Sequence, residues 1–470
     1  MTRYSPITDE IRRRISHKLG EECIVKDPDE AGTYGEDASG LSYPPELVIR
    51  AMEKTQIQML LRLANEYKFP VIPRGGGSGL AGGCVPVLGG VVLSLERLNR
   101  IISIDTKNLI AEVEPGTITE VLRNAVQQKK LFFPPDPAGM DQSTIGGNAA
   151  TNAGGPSCLK YGTTKDYILG LEVVLPSGRM ITTGTRTRKG VVGYDLTQLF
   201  VGSEGTLGVI TGLILKLIPF PKNFSGITAV FSNLPTAMQA VTEILNRGHL
   251  PSAIEFLDAK SLFLVKDILP FYIPGETPAL LIVEVDGAPE QTKQEVKIVG
   301  KILKEVGAAH LLPAFTEKER KDIWSVRRQV SLRIHDRYAL YIPEDVVVPI
   351  GKIPALVGEL PKFEADYGFE IYAFGHAGDG NIHLNITAQN RDNMNRVEMG
   401  VKAILARVIQ MGGTISGEHG IGKAKKRYLS MELSAESIRL QTEIKKIFDP
   451  NMILNPGKIF PEKGSNNEVI

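Results

Sequence analysis

A run of glycines, Arg74-Gly75-Gly76-Gly77-Ser78-Gly79-Leu80-Ala81-Gly82-Gly83, constrains this chain more than any other stretch. It follows an apolar strand pattern, Phe69 to Pro73, and leads through Cys84 to Gly90 into a second one, Val91 to Leu95. Glycine lets the backbone take positive φ and approach a ligand closely. Successive bare N–H groups in such a loop form a concavity that holds an anion, typically a phosphate or pyrophosphate. Gly77, Gly79 and Gly82 match G-x-G-x-x-G, but that fingerprint requires a helix to follow at once. Gly83, Pro86, Gly89 and Gly90 stand against a helix there. The loop is therefore expected to join two strands, either as a binding loop with residues 73–80 against the ligand or as a plain linker.

Two further runs favour binding. One is Asp141 to Gly155, with Ser143, Thr144, Gly146, Gly147, Asn148, Thr151, Asn152 and Gly154, preceded by Pro134-Pro135-Asp136-Pro137. The other is Val201 to Thr211, with Glu204, Gly208 and Ile210. Three small-residue segments in one half of a chain suggest a long ligand held through backbone.

Composition narrows the partners. A net charge of +1 and a single Trp leave no basic or aromatic footprint for nucleic acid. No apolar run reaches the roughly 18 residues of a membrane span. The N-terminus lacks the apolar segment of a secretory signal, so a cytoplasmic location is expected, peripheral to a membrane only through a partner. The 3 cysteines, Cys23, Cys84 and Cys158, form no CxxC and are too few for an iron–sulfur cluster.

The patterning predicts an α+β protein. Residues 1–42 read as a helical lead-in. Residues 43–221 alternate strand and helix: a strand at 46–50, a helix at 54–67, paired strands at 101–104 and 109–113, and a hairpin of 167–175 with 180–183. A short helix at 119–129 is expected to be capped by Thr117 or Thr119. Residues 222–460 read as a second α+β domain with helices on one side of a largely antiparallel sheet. Its strands lie near 226–231, 252–257, 279–285, 341–348 and 369–375. Its helices lie near 235–247, 288–306, 317–334 and 351–365, with a C-terminal helical segment at 392–410 and 434–448. Residues 461–470 read as a polar tail.

Of 7 histidines, three fall in two C-terminal motifs. In Gly375-His376-Ala377-Gly378-Asp379-Gly380-Asn381-Ile382-His383, the Asp-Gly pair reads as a two-residue hairpin turn. That turn would set His376 directly opposite His383, converging on one metal. Asn385 would share their face, and Ile382, Leu384 and Ile386 would point into the core. In Ser416-Gly417-Glu418-His419-Gly420, Glu418 could complete the metal site and His419 could serve as a base. The alternative is that these are hydrogen-bonded structural histidines. Arg327 lies in the apolar stripe Ile323, Val330, Ile334 of its helix, whereas Arg328 points elsewhere. A buried guanidinium needs a partner: a substrate carboxylate, or an internal salt bridge.

PRGGGSGLAGG, STIGGNAATNAGG, VGSEGTLGVIT, GHAGDGNIH and SGEHGIGK together resemble the FAD-binding 2-hydroxy-acid dehydrogenases of the vanillyl-alcohol-oxidase (PCMH) type, nearest the glycolate oxidase D-subunit and D-lactate and D-2-hydroxyglutarate dehydrogenases. The likeness runs from about Tyr43 to Phe460. It implies a two-subdomain PCMH-type FAD-binding domain followed by a substrate domain. It implies a divalent metal (Zn, Mn or Fe) on His376, His383 and Glu418, His419 as catalytic base, and Arg327 and Asn385 at the substrate. FAD should be non-covalent, since no histidine lies between Gly75 and Asp166. Asn455, with Lys458, either reaches the flavin from the C-terminus or sits in a solvated turn. The dicarboxylate relatives carry a lysine where Pro343 stands here, which favours D-lactate or glycolate over D-2-hydroxyglutarate. Electrons would pass to a partner protein (an iron–sulfur subunit, an electron-transferring flavoprotein or a cytochrome) or to a quinone; a homodimer is left open. A flavin transferase of the alkylglycerone-phosphate synthase type and a non-catalytic electron relay are the alternatives.

Overall fold

The computed structural model describes residues 4–269, 273, 275–338, 340–389 and 394–461. The expected polar tail therefore lies almost wholly outside the described residues. The described residues form two units: one runs to 154 and takes in 163–220 and the residues from 418 onward, and the other takes in 155–162 and 221–417. The first unit thus takes its last part from the far end of the chain.

In the first unit, strands Leu47–Arg50, Val91–Ser94 and Val71–Arg74 form a parallel sheet with Val91–Ser94 central. Helix Lys54–Tyr67 buries Ile57, Leu60, Leu61 and Ala64, the face that its spacing predicts. Those side chains join Leu47, Ile49, Val71, Val91 and Leu93 in one core. A five-stranded antiparallel sheet follows, in the order Ile101–Asp105, Ile110–Val113, Val209–Lys216, Ile168–Val174, Met180–Gly184.

One local expectation needs correction, and one helix goes unread in the sequence. Helix Thr119–Gln127 has Ile118 at its N-cap, with no side-chain cap. The Thr119 hydroxyl is instead bonded to Ser143, at its carbonyl and at its hydroxyl. The second glycine run also contains a helix, Ile145–Thr151, capped by Thr144 Oγ1 on Gly147 N. Gly146 and Gly147 hid it, because glycine weakens a helix pattern.

The second unit is built on a seven-stranded sheet whose paired strands are all antiparallel. Its order is His310–Ala314, Asn223–Phe231, Ala279–Gly287, Ala253–Leu257, Glu370–His376, Asn381–Ala388, Leu340–Val347. The edge strand His310–Ala314 carries no clear alternation and was not expected. Helices cover both faces, not one. Helix Pro289–Val306 brings Gly300 against Ile227 on one face. Helix Glu317–Arg337 packs Val326, Val330 and Ile334 against Val230, Leu280 and Ile282 on the other. This second face carries His376, His383 and Asn385 of the expected site, with Arg327 on the helix that covers it.

Candidate functional site

In the first unit the glycine loop passes between strands without helix, as its sequence requires. It lines a cavity that is partly open to solvent. The cavity wall takes in every residue from Pro73 to Leu80, then Ser143, Thr144, Gly146, Gly147, Asn148, Thr151, Gly154, Glu204, Gly208 and Ile210, and also Glu418 and His419. Glycine is needed here for two reasons. A Cβ on Gly76 would run into the carbonyl oxygen of Gln142, and Gly77 sits at φ +71. A Cβ on Gly79, by contrast, would meet nothing within 4 Å: it would project into free space. Such a backbone-walled cradle fits a dinucleotide phosphate chain.

Four residues expected at the cofactor are absent from the wall. Asn152, at φ 52, caps its helix and accepts from Thr163 Oγ1 and Lys165 N through its side-chain oxygen. The Pro135 carbonyl accepts from Arg123, and Asp136 lies beside it. Asn455 braces the loop from behind, donating to the carbonyls of Gly83 and Glu204. Lys458 does the same to the carbonyls of Gly82 and Val85. Both are buried, so neither sits in a solvated turn. Burial pulls the Lys458 ammonium down to about 8. Burial also pushes the Cys84 thiol up to about 11, away from thiolate chemistry.

Glu204 ties the wall together. Its two oxygens accept from Ile421 N at 2.8 Å and Gly422 N at 2.7 Å. Burial raises its carboxyl above the usual range, opposed by those two amides. The segment carrying His419 is thus anchored within the same unit.

In the second unit the hairpin has a different register from the expected one. His376 faces Asn381, and Phe374 faces His383. The loop spans four residues, since Gly380 N reaches back to the His376 carbonyl and Gly380 takes φ +88. Asp379-Gly380 closes a longer loop built around a tight turn. The shift is by one full side-chain period, so His376, His383 and Asn385 still share one face. The two imidazoles become diagonal neighbours with Nε2 atoms 3.4 Å apart. Ile382, Leu384 and Ile386 are buried on the other face.

Glu255, which sequence reasoning missed, stands at the centre of this face. It is a lone carboxylate in an apolar strand, and that was the available signal. It is 0% exposed. Oε1 accepts from His376 Nδ1, and Oε2 from Arg327 Nε at 2.8 Å. Burial pushes its carboxyl up, but His376 and Arg327 outweigh that and hold it at about 2. His383 Nδ1 lies 3.7 Å from buried Asp345. Arg327 therefore does have an internal salt bridge. Among the described residues its Nη1 and Nη2 make no hydrogen bond, and its guanidinium lies 4.1 Å over the Phe374 ring. Asn385 accepts from the Tyr341 hydroxyl at 2.7 Å.

The comparisons define the class: FAD-linked oxidoreductases. Residues 221–459 match the C-terminal domain of FAD linked oxidases, and residues 45–184 match an FAD binding domain. The chain belongs to the FAD-linked oxidases. It is 40% identical over 468 residues to glycolate oxidase subunit GlcD of Bacillus subtilis (strain 168), covering 98% of this chain and 99% of that one. It is 36% identical over 467 residues to a D-lactate dehydrogenase of Anaerostipes hadrus, covering 97% and 98%. The fold is shared with p-cresol methylhydroxylase at TM-score 0.77 and 19% identity, over 98% of this chain and 99% of that one. Among the described residues no helix is long and apolar enough to cross a membrane.

Proposed function

We propose that this chain is an FAD-dependent dehydrogenase that oxidises a small D-2-hydroxy acid, D-lactate or glycolate, to the 2-keto acid. The observation that carries the reading is the face around Glu255. Two imidazole Nε2 atoms 3.4 Å apart repel unless a proton or a cation lies between them, and both rings turn Nδ1 toward a buried carboxylate. That is the donor chemistry of a divalent metal site. Beside it, a guanidinium offers two unengaged nitrogens, the fork that a carboxylate fills.

Each residue then has a role. Arg327 holds the substrate carboxylate, with Asn385 beside it. His376, His383 and Glu418 hold a divalent ion (Zn, Mn or Fe), which when bound supplies Lewis acidity toward the hydroxyl oxygen. His419 takes the hydroxyl proton as general base. FAD, when bound, supplies the acceptor for the α-hydrogen as hydride. The acid thus loses one hydride and one proton, and the electron pair leaves to an external partner protein or quinone. The relatives' names, a glycolate oxidase subunit and a D-lactate dehydrogenase, support the substrate class. Pro343 pairs with Asn385 on the same face and brings no charge for a second carboxylate.

The test is anaerobic bleaching of the flavin band by D-lactate, L-lactate, glycolate, D-2-hydroxyglutarate and malate, with and without chelator. Bleaching by D-lactate or glycolate, lost on chelation, is expected. A flavin indifferent to all five acids would sink the reading.

A further inference from the structure

We propose that Glu255 is a positioning residue: one buried carboxylate that sets both the tautomer of His376 and the orientation of the Arg327 fork. The inference rests on the reading above, in which His376 holds a metal and Arg327 a carboxylate.

The strand register places Glu255 opposite His376 on one side and Ile282 on the other, on the face covered by the helix that carries Arg327. Its flanking residues Ile254 and Phe256 point into the opposite apolar layer. A carboxylate only accepts hydrogen bonds. With Oε1 on His376 Nδ1, the ring proton must sit at Nδ1, and Nε2 keeps its lone pair for a cation. With Oε2 on Arg327 Nε, the guanidinium is gripped by its inner nitrogen. The Phe374 ring beneath it fixes the plane, so Nη1 and Nη2 are presented together.

An ordinary ion pair would explain only half of this. It accounts for Oε2 and Arg327, but not for the second oxygen fixing a ring whose other nitrogen lies 3.4 Å from His383 Nε2. A glutamine at 255 keeps the volume but replaces one acceptor with a donor. Either His376 must move its proton to Nε2, where it blocks a cation, or the amide must turn its NH2 toward Arg327. Metal affinity and substrate affinity are thus linked through one side chain.

The experiment compares the FAD-loaded full chain as wild type, Glu255→Gln and Arg327→Lys, with Zn2+ as the probe metal. Zn2+ affinity is read by dialysis against graded chelator, KM and kcat with D-lactate, and the ring protonation site by 15N-histidine spectra of metal-free protein. Glu255→Gln should bind Zn2+ roughly 10- to 100-fold more weakly, raise KM, and shift the His376 proton from Nδ1 to Nε2, with FAD content unchanged. Arg327→Lys should raise KM alone. If Glu255→Gln keeps Zn2+ affinity and KM within about twofold and His376 stays protonated at Nδ1, the proposal is overturned. A purely structural carboxylate would lower the melting temperature without moving the ring proton. Should wild type take up no Zn2+ and no acid bleach its flavin, the proposed function fails, while the ring spectra still decide whether Glu255 sets His376.

Discussion

The cavity of the first unit is lined largely by glycine-rich main chain, whereas the proposed reactive face of the second is made of side chains. In the first, Gly76 and Gly77 matter for what they lack, since a Cβ on Gly76 would strike the Gln142 carbonyl and Gly77 sits at φ +71. In the second, Glu255, His376 and Arg327 matter for where their charged atoms meet. A backbone-made site should fail through fit and stability. A side-chain-made site should fail through chemistry, with the fold left standing.

Five substitutions probe that contrast, taken from the largest effect down. The strongest concerns His419, which lines the backbone-walled cavity yet is assigned chemistry. His419→Ala should leave FAD bound and slow flavin reduction by D-lactate about 10³-fold, the scale of a lost general base. Stopped-flow anaerobic reduction reads this, and a rate within tenfold of wild type would remove the residue from the mechanism.

Next come two glycines three positions apart. Gly76→Ala must displace the Gln142 carbonyl, so it should cost about 2–3 kcal/mol and shed FAD. Gly79→Ala meets open space and should leave stability within about 0.5 kcal/mol while weakening FAD. Urea midpoints and flavin content separate the two. Equal behaviour would mean that the loop is not shaped as described.

On the side-chain-made face, Arg327→Lys keeps the charge but loses the fork. KM for D-lactate should rise about 30-fold with FAD content unchanged, the worth of a charged hydrogen bond. An unchanged KM would return Arg327 to a purely internal role.

The smallest effect is a pH dependence at Lys458, behind the glycine loop. Its folded value, about 8, lies below the ordinary 10.5. The cost of burying the ammonium is therefore full below pH 8, and is relieved as pH rises from 8 toward 10.5. Wild type should gain on Lys458→Met by about 1 kcal/mol per pH unit between pH about 8 and about 10. A flat difference in urea midpoint across that range would show that Lys458 keeps its ordinary value.

Legibility in the sequence followed the same contrast. The glycine loop could be read because its requirement is local: no helix follows Gly83, and positive φ selects glycine. The helices at 54–67 and 317–334 could be read from the period of their apolar residues. The hairpin at Asp379-Gly380 was misread in register because one dipeptide suits both a two-residue turn and the end of a longer loop. The shared face survived because the error was a full period. Glu255 was out of reach for another reason. It lies 121 residues from His376 and 72 from Arg327, and only strand pairing together with helix packing on the sheet brings the three together. The helices on both faces of the second sheet were missed likewise, since periodicity fixes which side of a helix is apolar but not which layer it covers.

The bonds from Glu204 to Ile421 and Gly422 span 217 and 218 residues. Val71 is likewise bridged to Leu454. A ribosome must therefore deliver almost the whole polypeptide before the first unit can close, although most of that unit is synthesised early. A fragment ending near Phe220 would emerge with Glu204 unsatisfied and one side of its parallel sheet bare. Such a half-made product is a natural client for a holding chaperone, and an expression design that separates the two halves would have to graft the last segment back onto the first.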